Sequence, residues 1–176
     1  MQNPIAAAFD RLRAVLQRRP EFGIGDDSTA TSVWKGGTPV VSSHENGTQM
    51  TTDMPAELGG GGMNVTPGWM FRAGIAACTT TRIAMEAAVE GIELSQLEVT
   101  AVSRSDARGL LPMPDVDGKH IPAGPFEIRL HVKIAAPGVS DARLHQLVDA
   151  SHACSPMASA VEHGVPVALT VTTEAA

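Results

Sequence analysis

Aromatic side chains are almost absent from this 176-residue chain, which has 4 Phe, 2 Trp and no Tyr. Positive charge is also scarce: 13 Lys+Arg against 19 Asp+Glu give a formal net charge of −6. The chain therefore lacks both the basic patch and the stacking platforms of nucleic-acid binders, and no nucleic-acid partner is expected. No apolar run approaches the ~20 residues of a membrane span, and the N-terminus has no basic stretch leading into an apolar one. A cytoplasmic chain without a membrane partner is expected. Cysteine is limited to Cys78 and Cys154, too sparse for a secreted disulfide framework and wrongly spaced for zinc. Reduced thiols are the expected state. His44, His120, His131, His145, His152 and His163 show no metal-ligand spacing, so no metal is expected, and no cofactor is expected either. No serine carries a nucleophile-elbow pattern, which leaves a hydrolase without support.

What is present is a 43% hydrophobic composition, enough for a core without staples. Residues 1–20 read as an amphipathic leader helix and 21–176 as one domain. Asn3-Pro4 is a cap followed by a proline at the first helical position, and Ile5, Phe9, Leu12, Val15 and Leu16 recur at helical spacing. Between Thr29 and Asp53, Gly36-Gly37 and Asn46-Gly47 punctuate β-type residues and predict a three-stranded meander. Gly59-Gly60-Gly61-Gly62 has neither a Lys-Ser/Thr ending nor GxGxxG spacing, so a flexible link is expected rather than a phosphate cradle. Thr66-Pro67 repeats the opening pattern for a long, mostly apolar helix that reaches Gly91, a natural C′ residue. Such a helix belongs at the centre of a fold or in a subunit interface.

Leu97–Arg104 reads as a strand and 106–124 as a Gly/Pro-rich loop. Phe126 to Ile134 alternates apolar and polar side chains, as a strand with one wet face should. Ser140 caps a further helix that Pro156 must interrupt, and Ser155-Pro156 then opens a second segment. Cys154 falls just before that restart. Pro166–Thr172 is expected to close the chain as a strand.

A free cysteine is usually a small buried hydrophobe. Two features point beyond that. Cys154 precedes a helix start with His152 nearby, and Cys78 is followed one turn later by Arg82; an adjacent cation or helix N-terminus favours a thiolate.

The segment Asp53…Gly59-Gly60…Thr66-Pro67-Gly68-Trp69…Ala76-Ala77-Cys78, with Asp106-Ala107-Arg108-Gly109 and His152-Ala153-Cys154-Ser155-Pro156-Met157, resembles the OsmC/Ohr family of thiol-dependent hydroperoxide reductases. The resemblance spans roughly 29–172 and leaves out the leader helix. It implies an α+β, OsmC-like fold: two antiparallel β-rich halves, two long central helices, and an intertwined homodimer with the cysteines near the subunit interface. It further implies that Cys78 attacks the peroxide and Cys154 resolves the sulfenic acid as a disulfide. An external dithiol, a lipoylated or thioredoxin-like protein, would then reduce that disulfide. Phe71, Ile75 and Met85 would provide apolar surroundings for an organic hydroperoxide. The family places a glutamate directly after the helix-opening proline, where this chain has Gly68, and takes its arginine from the N-terminal strand region. No arginine occurs here between Arg19 and Arg72. Arg82, on the side of Cys78, and Lys35, in the N-terminal strand region, are the replacement cations to consider. Arg72, six residues before Cys78, projects away. The alternative expectation is a weakly catalytic or non-catalytic relative that binds a small hydrophobic ligand in the dimer cleft.

Overall fold

The computed structural model describes residues 3–174. Helix α1 spans Pro4–Arg18, and Asn3 caps it by accepting the Ile5 N–H at 2.9 Å. Strands β1 (Ala30–Trp34), β2 (Val40–His44) and β3 (Gln49–Thr52) form an antiparallel sheet in that order. Gly36, Gly37 and Gly47 take positive φ in its turns, as tight reversals between twisted strands require. The meander expected from the sequence is present, with β1 exposed along its whole length.

Helix α2 (Pro67–Val89) is the axis of the molecule. Thr66 caps it through the Trp69 N–H, and Gly91 follows at φ 71°. Its buried side chains Ile75, Thr79, Ile83 and Ala87 recur every fourth residue, a single stripe packed against the rest of the chain. Around it lie α1, strand β4 (Gln96–Arg104), α4 (Asp141–Ala153) and α5 (Pro156–Glu162). β4 pairs antiparallel with β5 (Glu127–Ala135) from Gln96↔Ala135 to Arg104↔Glu127. Ile83, Ala87 and Leu147 form the core, with Leu97, Val99, Val132 and Ile134 of the β4–β5 face against them. This is an α+β fold with two antiparallel sheets and a long central helix.

Three expectations need correction. The 106–124 loop contains a one-turn helix, α3 (Ala107–Leu110), capped by Asp106. The glycine run is a built turn, not a flexible link: Gly59 has φ 78°, and a Cβ on Gly60 would lie 1.8 Å from the Met54 carbonyl oxygen. Finally, 166–172 is not a strand in this chain. Val165, Val167, Leu169 and Val171 alternate as a strand should, yet their exposures are 62, 93, 87 and 73%. A strand exists only when its N–H and C=O groups meet a neighbouring strand, and among the described residues this segment has none.

Candidate functional site

The site is organised by the crossing of α2 with the α4–α5 junction. Pro156 has no N–H to continue α4, so the chain restarts there, with Cys154 at the C-cap of α4. Ser155 does not cap α5 as its position suggests. Its hydroxyl turns inward to Thr79 of α2, with Oγ1···Oγ at 3.3 Å, and both residues are fully buried. Each cysteine immediately precedes one member of this hydroxyl pair. Cys78 is half-buried, Cys154 is exposed, and both are free thiols.

Arg82, one turn after Cys78, is held on two sides. Its Nη2 donates to Glu86 Oε2 at 2.5 Å, and its guanidinium carbon lies 5.8 Å from the centre of the Phe9 ring on α1. Its Nη1 is buried and has no hydrogen-bond partner; among the described residues the Ser151 hydroxyl is the other such side-chain group. Glu86 was missed in the sequence, although its four-residue spacing from Arg82 is the signal of a helical ion pair. Arg72 donates to the Ser103 hydroxyl of β4 at 3.3 Å. Lys35 stands exposed in the turn between β1 and β2. His152 bridges to Glu162 at 3.0 Å and ties α4 to α5 across the junction.

A cavity of about 530 Å³ opens between α2, β5, α4 and α5. Ile75 and Thr79 line it with Ile128, Leu130, Val148 and Val161, and His152 and Glu162 stand at it too. Neither cysteine lines it, and nor do Phe71 and Met85, which are half-buried elsewhere on α2.

The glycine turn does hold an anion, but one belonging to the chain itself. Asp53, 3% exposed, accepts the Thr38 hydroxyl at 2.5 Å, the Met54 N–H at 2.7 Å and the Gly61 N–H at 2.9 Å. The Thr38 hydroxyl, aided by these backbone N–H groups, holds the carboxyl below the usual carboxylate range against the opposing effect of burial. The Asp53 N–H donates to Val65, anchoring the end of β3 next to the start of α2.

Among the described residues no helix is long and apolar enough to cross a membrane. The family model for OsmC-like protein matches residues 59–170. An organic hydroperoxide resistance protein from Xanthomonas axonopodis pv. citri is 33% identical over 118 residues, covering 66% of this chain and 74% of the relative. An OsmC-like protein from Mycoplasma pneumoniae superposes with a TM-score of 0.66 at 20% identity, covering 81% of this chain and 91% of its own. An organic hydroperoxide resistance protein OsmC from Legionella pneumophila superposes at 0.56 with 24% identity, over 78% of this chain and 91% of its own. The family model spans most of the chain, and the fold likenesses agree with it: the chain belongs to the OsmC-like protein family.

Proposed function

We propose that this protein is a thiol-dependent peroxidase that reduces organic hydroperoxides in oxidative-stress defence, with Cys78 as the reacting thiol and Cys154 as its resolving partner. The observation that carries the reading is the setting of Cys78: mid-helix, half-buried, and one turn from a fixed guanidinium with an unused donor. The Cys78 thiolate attacks the distal peroxide oxygen; the S–O bond forms, the O–O bond breaks, and sulfur gives up two electrons. The leaving alkoxide takes a proton and departs as alcohol. A donor already aimed at the developing charge lowers the barrier because it needs no reorganisation during the step. Arg82, paired with Glu86 on its own helix, is assigned that role in place of the arginine and glutamate absent from the family positions. Cys154 sulfur then attacks the sulfenic sulfur, forming the S–S bond and releasing hydroxide, which is protonated to water. An external dithiol, on a lipoylated or thioredoxin-like protein, restores both thiols by exchange. The site works in the cytoplasm, in a homodimer whose exposed apolar 165–171 segment pairs with the second copy. Ile75, Phe71 and Met85 supply the apolar side of the substrate path, and His152, tied to Glu162, is the side chain assigned to assist Cys154. Residues 21–176 act as the single domain to which the 1–20 leader is added.

The test is free-thiol titration before and after one equivalent of an organic hydroperoxide. Loss of both thiols in the parent, with a trapped sulfenic acid only in Cys154→Ser, is the expected result. Arg82→Met and Lys35→Met in the same assay separate the two cations. The apolar cavity favours a second reading, a family member that binds a small hydrophobic ligand without turnover. Survival of both thiols over minutes would leave that reading standing.

A further inference from the structure

Helix α1 lies outside the matched family region, and its hold on the body is weak in apolar terms. None of its residues is fully buried, and Ile5 and Leu12 on its apolar face are 39 and 57% exposed. Its Phe9 is half-buried and presents its ring to Arg82, the residue that shares the Cys78 side of α2.

We propose that α1 is a working part of the thiol site, with Phe9 as the positioning residue that holds the Arg82 guanidinium on the Cys78 side of α2. This rests on the reading of Cys78 as the reactive thiol and Arg82 as its cation. An arginine side chain has several freely turning bonds and strong hydration, so a single carboxylate on its own helix can follow it out into solvent. The Arg82–Glu86 pair alone therefore fixes no direction. The face of an aromatic ring attracts a guanidinium within about 6 Å of its centre. Phe9 adds a second point of attachment from another element. Glu86 takes Nη2 and Phe9 flanks the guanidinium, which leaves Nη1 buried and unpaired. A buried N–H without a partner is costly in a folded protein, and a thiolate at Cys78, one turn before Arg82 on α2, would offer it an acceptor. The docking of α1 thus sets the charge felt at Cys78, and its undocking would weaken the site without touching either cysteine.

The proposal is tested in full-length Cys154→Ser protein by alkylating Cys78 with iodoacetate and iodoacetamide. Both reagents form the same S–CH2 bond and release iodide, so thiol exposure and thiolate fraction cancel in the ratio of their rates. The ratio reports the charge beside the sulfur. Arg82→Met should lower the iodoacetate preference by about threefold or more, as loss of a nearby screened cation does. Phe9→Ala and Phe9→Leu should lower it about as far, whereas Phe9→Trp, which keeps a ring face, should restore it. Thermal melting of each variant separates this from unfolding, and the leucine variant retains the packing volume. If Arg82→Met lowers the ratio and Phe9→Leu does not, the role of α1 is overturned while the Arg82 assignment stands. An unchanged ratio in Arg82→Met overturns both. Hydroperoxide consumption by the protein with both cysteines present is measured separately, so a charge effect without turnover supports the α1 coupling and removes the peroxidase reading.

Discussion

Single side chains carry unequal weight here, and the buried polar ones are the most revealing. Asp53 titrates below an unfolded aspartate because Thr38 and the glycine turn donate to its charged form. Its contribution is therefore complete above the unfolded value of about 3.9 and is lost as pH falls through the lower folded value. Asp53→Asn should lower stability at pH 6 and narrow the difference between melts at pH 6 and pH 3. Thr79 and Ser155 should behave as a coupled pair. Thr79→Val or Ser155→Ala alone leaves a buried hydroxyl unpaired and should cost about 1–3 kcal/mol, while the double variant should lose less than the sum. Chemical denaturation of the four proteins closes the cycle. These roles were only partly legible beforehand. Cys78, Arg82 and Cys154 could be singled out as candidates by residue type and spacing, but a hydroxyl pair between residues 76 apart in sequence has no local signal.

Elements were legible where their boundaries are written in local chemistry. Asn3-Pro4, Thr66-Pro67 and Pro156 mark the starts of α1, α2 and α5 at the residues expected, because caps and prolines act within a single turn. The glycine run was harder to read, since its order comes from Asp53 and Met54 rather than from itself. Gly60→Ala would drive a methyl group into the Met54 backbone carbonyl and should destabilise by about 1–3 kcal/mol or more. Ile83, 0% exposed between α2 and the sheet, marks the other extreme. Ile83→Ala should cost about 2–5 kcal/mol, read from the shift of the denaturation midpoint. The role of the leader helix was invisible for a related reason: its amphipathic pattern predicts a docked face without saying which side chain it meets.

For the molecule as a whole, the alternation at 165–171 is the clearest mismatch between pattern and single chain. Its apolar side chains are wet and, among the described residues, it pairs with no strand, a combination that pairing with a second copy would relieve. If the proposed homodimer pairs through this segment, Val167→Asp with Leu169→Asp should shift the protein from dimer to monomer in light scattering coupled to size exclusion. A dimer of unchanged mass would remove the exchange of this segment. The two thiols also differ mechanically. Cys78 is embedded in an unbroken helix of 23 residues, whereas Cys154 stands at a joint where one rod stops and another begins. Any tether between the sulfurs would load the joint rather than bend the rod. The core packed on α2 would then keep its shape, and the adjustment would fall on the short turn where α4 ends and α5 begins.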